Sequence, residues 1–286
     1  MFIVFEGLDG SGKTTQSRLF AEALTWRNVS GAYRASPRNV HWCAEPRSKS
    51  AVRELVGDVR APLQRARAQA LAYATDRHAH AEDLIERLKG GEIVVCDRYV
   101  HSSLVYQREA GRRFVQALQE GVPLPDVVVW LMTSPKECLR RIQARSKVTL
   151  SEEDAHYTEE KLCALHEAYR DVLQTSPAYP ETRVLKVPGH GTVRAVHQRV
   201  LKGYYKLVTE YPECVPPVRY CPGDGLEAAL REAQRELAVQ REVLLRSDIV
   251  CDWGCTSDTS AEELCDTCQL YDEVTRDLAL KKKEEE

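Results

Sequence analysis

The chain has 286 residues, which at roughly 100–200 residues per domain allows one full domain and an additional segment. Its hydrophobic content of 43% is ordinary for a protein with a buried core. The 40 basic side chains are outnumbered by 43 acidic ones, and the net charge of -3 argues against a broad surface for nucleic acid.

The chain shows no signal peptide and no segment that could span a membrane. Its first apolar run, Phe2–Phe5, is far shorter than the ~20 residues that a membrane helix requires. We therefore expect a cytoplasmic protein with no membrane partner. In that reducing compartment the ten cysteines are not expected to form a disulfide framework.

Short runs of β-branched and apolar residues predict strands that are buried on both faces, as in a parallel sheet covered by helices. A further strand is expected between Ala32 and Ala44, where the sequence Ser-Pro-Arg-Asn obscures its position. The clear runs are Phe2–Phe5, Ile93–Cys96, Val127–Met132 and Val184–Val187.

Segments with helical spacing and charged outer faces alternate with these strands. Such alternation predicts right-handed βαβ crossovers and a three-layer, doubly wound α/β domain over residues 1–208. Ligands of such sheets bind at the carboxyl ends of the strands. The predicted helices are Thr14–Trp26, Leu63–Leu88, Leu104–Glu120, Lys136–Arg145, Glu159–Leu173 and Val193–Val208.

The alternation of strands and helices does not continue into residues 209–286, so we predict that they form a separate C-terminal extension. Prolines interrupt its start, and an apolar stripe over Leu226–Leu244 then predicts a helix that docks on the first domain or pairs with a second chain. Two alternatives remain for the cysteines that follow, a structural zinc site or free thiols. These cysteines are Cys251, Cys255, Cys265 and Cys268.

Residues 7–14, Gly-Leu-Asp-Gly-Ser-Gly-Lys-Thr, fit the phosphate-binding loop pattern G-x-x-x-x-G-K-[ST] and stand between a predicted strand and helix. The glycines let backbone N–H groups surround a nucleotide phosphate, Lys13 reaches the β- and γ-phosphates, and the Thr14 hydroxyl ligates Mg²⁺. The loop alone is compatible with GTPases, motor ATPases and small-molecule kinases. The sequence has no Asn-Lys-x-Asp guanine motif, which weakens the GTPase alternative.

Three motifs resemble those of thymidylate kinases over about residues 1–208. They are the loop with its flanks (residues 5–16), Asp97-Arg98-Tyr99 after a strand, and the run at residues 102–107, which is similar to the family's Ser-x-x-Ala-Tyr-Gln. The resemblance implies transfer of phosphate from ATP to dTMP in the presence of Mg²⁺, and a homodimer. The ATP-binding residues it implies are Gly7, Asp9, Gly10, Ser11, Gly12, Lys13, Thr14 and Thr15.

The resemblance also assigns residues to the phosphate and sugar of dTMP. Asp9 is expected to accept a hydrogen bond from the 3′-hydroxyl, and Tyr106 to crowd the 2′ position. Arg98 is expected to grip the acceptor phosphate, with Asp97 holding a Mg²⁺-bound water. Arg47 is a second candidate for the phosphate, although some relatives place this arginine before the Glu-Pro pair, where the chain has Ala44.

For the base, the resemblance implies that Tyr73 stacks on thymine and that Arg77, one helical turn later, hydrogen-bonds its O4 edge. Ser102, Ser103 and Gln107 are expected to contribute polar contacts near the base. An ordinary helix start would use Ser102 and Ser103 equally well.

One subgroup of the family has an arginine directly after the carboxylate of the loop, where this chain has Gly10. The catalytic arginine is therefore expected after the predicted strand Val127–Met132, with Arg141 and Arg145 as candidates on one helix face beside the acidic segment 146–157. A solvated basic face is the alternative interpretation.

Two other functions remain open. In a deoxynucleoside kinase, Glu45 of the Glu-Pro pair would deprotonate the 5′-hydroxyl of thymidine or a related nucleoside. In a binding scaffold, a weakened kinase domain would act through the C-terminal extension. Both are distinguished from a dTMP kinase by direct assay of nucleosides and monophosphates.

Overall fold

The computed structural model of the chain describes residues 1–29, 32–35, 39–57, 59–149 and 157–210. Over these residues it contains a parallel five-stranded sheet and a small antiparallel hairpin. In chain order the strands are β1 (Phe2–Glu6), β2 (Trp26–Val29), β3 (Ala32–Ala35), β4 (Val40–Ala44), β5 (Ile93–Asp97), β6 (Val127–Met132) and β7 (Arg183–Pro188).

The five-stranded sheet has the order β4-β5-β1-β6-β7, and β2 and β3 form the hairpin. All strand pairs of the five-stranded sheet are parallel, with Phe2 opposite Val94 and Ile3 opposite Val127. After β1 the chain forms β4 and β5 on one side of that strand, and it then forms β6 and β7 on the other side. The crevice that this change of direction creates lies beside the end of β1.

Helices cover both faces of the sheet. They are α1 (Lys13–Thr25), α2 (Lys49–Val56), α3 (Pro62–Lys89), α4 (Val100–Tyr106), α5 (Arg112–Ala117), α6 (Pro135–Thr149), α7 (Glu159–Arg170) and α8 (Val193–Glu210), with a 3₁₀ turn at Arg108–Ala110 and a π-helical turn at Asp171–Thr175.

Alternate residues of the central strand enter two different apolar cores. Phe2 and Val4 pack in a core that includes residues of α3, α4, α6 and α7. Ile3 and Phe5 pack in the other, with residues of α1 and α8 such as Phe20. Two separated cores on the two faces of one parallel sheet confirm the predicted three-layer α/β fold.

The prediction of one helix over Leu104–Glu120 is wrong. This segment is divided between α4, which ends at Tyr106, the 3₁₀ turn and α5, and between the last two Gly111 adopts a φ of 96°, a left-handed conformation that a continuing helix excludes. The interval from Ala32 to Ala44, in which one strand is expected, contains both β3 and β4, and of these only β4 belongs to the five-stranded sheet. The pairing of β3 with β2 and the helix α2 are not predicted by the sequence.

The C-terminal predictions lie almost wholly outside the described residues. The described residues end at Glu210, so the stripe Leu226–Leu244 and the cysteines at 251, 255, 265 and 268 lie outside them. Within the described ranges, no group of three or more His, Cys, Asp or Glu side chains is arranged to hold a metal ion. No helix of those ranges is long and apolar enough to cross a bilayer.

Candidate active site

The phosphate-binding loop follows β1 and is shaped by three glycines. Gly7, Gly10 and Gly12 have φ values of 142°, 78° and 100°, which L side chains rarely adopt. The neighbouring backbone also excludes side chains here. A Cβ on Gly7 would lie 2.8 Å from the carbonyl oxygen of Leu131, and one on Gly10 would lie 2.6 Å from that of Cys138. The loop is thus a backbone surface without side chains at these positions.

Lys13 lies inside this loop. Its Nζ donates hydrogen bonds to the carbonyl oxygens of Gly7 at 2.9 Å and Leu8 at 2.7 Å. Burial lowers the pKa of Lys13 to about 8, aided by repulsion from Arg98 and opposed by Asp9. The ammonium group is therefore held where the loop would surround a phosphate.

Thr14 and Asp97 meet at the carboxyl ends of β1 and β5. The Thr14 hydroxyl donates to Oδ2 of Asp97. Oδ1 of Asp97 is buried and accepts no hydrogen bond from the described residues. Mg²⁺ prefers oxygen ligands and retains several waters, so an orphaned carboxylate oxygen beside a hydroxyl fits this ion or its water shell.

Asp9 joins the loop to the motif after β5. Its Oδ1 accepts a hydrogen bond from Nη2 of Arg98, and its Oδ2 accepts from the hydroxyls of Tyr106, at 2.9 Å, and Tyr157. Burial would raise the pKa of Asp9, but Arg98 and Lys13 outweigh it and hold that pKa below its usual range. Asp9 is therefore an anion at neutral pH.

Arg98 has an unusual backbone conformation that directs it toward this cluster. Its φ is 70°, the one positive value among the described non-glycine residues. Its N–H donates to the carbonyl oxygen of Phe5 at 3.0 Å, and its guanidinium lies 5.2 Å from the ring centroid of Tyr106. Strained conformations of this kind persist where the surrounding structure fixes them, commonly at functional sites.

Glu6 was not predicted as a site residue, although it is a fully buried carboxylate in an apolar strand. It accepts hydrogen bonds from the backbone N–H groups of Tyr99 and Ser102, and from the hydroxyls of Ser102 at 2.7 Å and Tyr169 at 3.0 Å. Burial raises the pKa of Glu6 despite these bonds. The N-cap of α4 is Tyr99, so Ser102 does not cap this helix, and its contacts with Glu6 fix the segment that follows Arg98.

A cavity of about 810 Å³ opens in front of these groups. It is lined by residues from the loop, from the ends of β4 and β5, and from α2, α3 and α4. Gln107, which lines it, has a buried Oε1 that accepts no hydrogen bond from the described residues. Among the predicted residues the lining includes Asp9, Thr14, Tyr73, Arg77, Asp97, Arg98, Ser102, Ser103, Tyr106, Gln107 and Arg145.

Arg77 lines this cavity and is buried. Its Nε donates to Oε2 of Glu45 at 2.7 Å, its Nη1 to Oε1 of Gln119, and its Nη2 to Oγ of Ser103 at 3.1 Å. Tyr73, one turn earlier on α3, is half-buried on the same wall. The predicted i, i+4 pair thus shares one wall of the cavity.

Arg47 is not among the residues that line the cavity. Its side chain is exposed, and the N–H groups of Arg47 and Ser48 donate to the carboxylate of Asp76. Ser48 then caps α2 by accepting from the N–H of Ala51. The basic side chains of this region that do line the cavity are Arg53 and Lys49 of α2, with Arg18 of α1.

The two candidate catalytic arginines occupy different places. Arg141 contacts the loop, with Nη1 3.3 Å from the carbonyl oxygens of Gly10 and Ser11 and Nη2 3.3 Å from that of Gly189. Its Nε donates to Glu137 at 2.7 Å. Arg145, one turn later on α6, is exposed and lines the cavity. One therefore lies against the loop, and the other lies beside the cavity.

Comparison with known proteins identifies the family. Residues 5–200 match the family model described as thymidylate kinase. The chain is 31% identical over 206 residues to a putative thymidylate kinase of Treponema pallidum, covering 70% of this chain and 92% of that protein. It is 30% identical over 204 residues to a probable thymidylate kinase of Methanococcus aeolicus, covering 70% and 94%.

A solved structure of thymidylate kinase from Candida albicans has the same fold. It aligns with a TM-score of 0.56 at 17% identity and covers 77% of this chain and 97% of that one. Residues 5–200, which match the family model, contain the loop, the residues that line the cavity and the motif after β5. The chain therefore belongs to the thymidylate kinase family.

Proposed function

We propose that the protein transfers the γ-phosphate of ATP to dTMP, producing ADP and dTDP. The observation that carries this proposal is the contact of Asp9, within the phosphate-binding loop, with Arg98 and Tyr106 at the cavity. A carboxylate in that place can bind a sugar hydroxyl while the arginine beside it binds the acceptor phosphate. Family membership supports the same reaction.

On the acceptor side, Arg98 and Arg53 would bind the phosphate of dTMP, since both line the cavity. Arg53 takes the place that the sequence assigned to Arg47. Tyr106 would close the space at the 2′ position and select deoxyribose. The attacking phosphate oxygen is already anionic, so the reaction needs no general base, and the chain has to position and stabilise charge.

On the donor side, the loop N–H groups and Lys13 would hold the phosphates of ATP. Lys13 would exchange its two carbonyl acceptors for phosphate oxygens. Thr14 and Asp97 would hold Mg²⁺ or its waters, and that ion, when bound, neutralises charge on the donor phosphates. Arg141 or Arg145 of α6 would add positive charge to the transferred group.

The alternative of a deoxynucleoside kinase requires Glu45 as a base for a 5′-hydroxyl. Here Oε2 of Glu45 accepts a 2.7 Å hydrogen bond from Arg77, whereas the buried Oε1 accepts none from the described residues. Glu45 also lines the cavity, so its contacts alone do not decide between the two acceptors. The monophosphate is favoured by Asp9 within the phosphate-binding loop and by its contact with Arg98.

The test is a coupled ADP-release assay of the full chain with dTMP, dUMP and thymidine, in the presence of ATP and Mg²⁺. We expect turnover of dTMP, no turnover of thymidine, and at least a hundredfold loss, roughly 2.7 kcal/mol, in Lys13→Met. Turnover of thymidine but not of dTMP would refute this proposal and show that the protein is a deoxynucleoside kinase. No turnover of any acceptor would support the scaffold.

We also propose a homodimer in the cytoplasm, as expected from the sequence. The described cysteines, Cys43, Cys96, Cys138 and Cys163, are free thiols, which suits a reducing compartment. Sedimentation of the full chain tests the dimer.

A further inference from the structure

A buried glutamine, Gln119, accepts a hydrogen bond from Arg77, which lines the cavity. We propose that Gln119 is a positioning residue, which holds the guanidinium of Arg77 ready for the base of the acceptor nucleotide. The inference rests on the proposed contact between Arg77 and that base.

The guanidinium of Arg77 is held by acceptors from three parts of the fold. Glu45, at the end of β4, accepts from Nε; Ser103, on α4, accepts from Nη2; and Gln119, after α5, accepts from Nη1. The arginine itself is 2% exposed. A guanidinium has five N–H groups, so these described contacts leave one N–H on each terminal nitrogen for a ligand. Three fixed acceptors determine the plane in which those two groups lie.

The amide of Gln119 is itself held in one orientation. Its Nε2 donates to the carbonyl oxygen of Val115 at 2.9 Å, which leaves Oε1 for Arg77. A flipped amide would set its NH₂ group against the guanidinium and its oxygen against a carbonyl, and both hydrogen bonds would be lost. Gln119 is fully buried and does not line the cavity, so it acts through Arg77.

A neutral acceptor suits this position. Glu45 already supplies the carboxylate that pairs with the buried arginine, at 2.7 Å. A second ionised carboxylate would add a buried negative charge, whereas the amide completes the hydrogen bonding without one. Loss of the amide would leave Nη1 short of an acceptor and free the guanidinium to turn about its Cδ–Nε bond. The effect should therefore fall on binding of the acceptor.

The first experiment compares Gln119→Met with Gln116→Met in the coupled assay. Gln119→Met keeps the volume and removes the acceptor, so we expect the KM for dTMP to rise roughly tenfold, equivalent to about 1.4 kcal/mol. The KM for ATP and kcat should change less than about twofold. Gln116, on α5, donates to Ala178 at 3.4 Å and does not contact Arg77, so its variant should keep the KM for dTMP.

Two further variants separate positioning from general destabilisation. In Gln119→Glu the buried carboxyl can stay protonated, donating to Val115 and accepting from Arg77, so we expect the KM for dTMP to return toward the parent value. In an Arg77→Lys background, Gln119→Met should have almost no additional effect, because the group that it positions is gone. If Gln119→Met does not fold, Gln119→Asn, which is one methylene too short to span both partners, replaces it.

The inference is overturned if Gln119→Met leaves the KM for dTMP unchanged while Arg77→Lys raises it. It is also overturned if Gln119→Met causes the same loss in the Arg77→Lys background. An Arg77→Lys variant with an unchanged KM for dTMP would instead refute the contact between Arg77 and the base. Turnover of dTMP by the parent chain tests the proposed function separately.

Discussion

Substitution of Gly189 should disrupt the connection between the phosphate-binding loop and the ends of β6 and β7. The hydroxyl of Thr133, just after β6, donates to the carbonyl oxygen of Ser11 at 3.2 Å and lies 3.4 Å from that of Gly189. A Cβ on Gly189 would lie 1.9 Å from Oγ1 of Thr133 and 3.0 Å from its Cβ. Real Cβ atoms essentially never approach another atom so closely, so Thr133 or the loop must move.

The expected magnitude follows from this overlap. Overpacking of a buried site costs typically 1–3 kcal/mol, and Gly189→Ala is expected to lower the free energy of unfolding by about 3 kcal/mol. Thr133→Ala removes the clashing oxygen and one weak hydrogen bond, which should cost about 1 kcal/mol. The double variant should then lose less than the sum of the two, with a coupling of about 1–2 kcal/mol.

Urea denaturation at 25 °C measures all of these values, and Thr133→Val provides the matched control. Valine removes the same hydrogen bond but keeps a branch where Oγ1 stood, so it should not rescue Gly189→Ala. Equal rescue by alanine and valine would refute the steric argument. So would a Gly189→Ala variant that unfolds at the parent urea concentration.

Three other predictions concern charge. Because Lys13 has a pKa of about 8 in the free enzyme, kcat/KM should fall as the pH rises above about 8, which a pH profile at subsaturating ATP and dTMP checks. Burial lowers the pKa of His101 to about 3 from 6.5, so the unfolded chain binds the additional proton between these values. The contribution of His101 to the free energy of unfolding is fully present above pH 6.5 and decreases by up to about 1.4 kcal/mol for each pH unit below it. Urea titrations between pH 4 and pH 7 should therefore show a smaller decrease in the free energy of unfolding for His101→Phe than for the parent chain. Arg53→Met should raise the KM for dTMP at least tenfold, about 1.4 kcal/mol, while Arg47→Met should leave it nearly unchanged. A larger rise in the KM for dTMP in Arg47→Met than in Arg53→Met would assign the phosphate contact to Arg47.

The groups that the sequence predicted well are close together along the chain or stand directly after a strand. The loop at residues 7–14 is a continuous motif, and Arg98 follows β5, so the parallel sheet brings both to one edge. Tyr73 and Arg77 share a helix face by spacing alone. Their presence in one cavity was therefore predictable, whereas their roles toward a nucleotide stay predictions.

Other contacts depend on where a short element begins, and local patterns do not determine this. Arg53 lines the cavity because α2 starts at Lys49, after a loop whose backbone donates a hydrogen bond to Asp76 of helix α3. Gln119 was placed inside a helix that Gly111 in fact interrupts, so its contact with Arg77 could not be derived from spacing. A tertiary contact positions the first side chain, and a left-handed backbone conformation at Gly111, which helical spacing does not reveal, positions the second.

The absence of a side chain at Gly10 and the position of the arginines of α6 have the same structural cause. The carbonyl oxygen of Cys138, in the first turns of α6, lies where a Cβ of residue 10 would be, and the loop there has a φ of 78°. An arginine in that place is thus excluded by both space and backbone conformation. The same close approach of α6 brings Arg141 to the carbonyl oxygens of Gly10 and Ser11, and Arg145 to the cavity. Because the helix that excludes a side chain from the loop also carries the nearby guanidinium groups, α6 is the element of the described chain best placed to supply charge to the transferred phosphate.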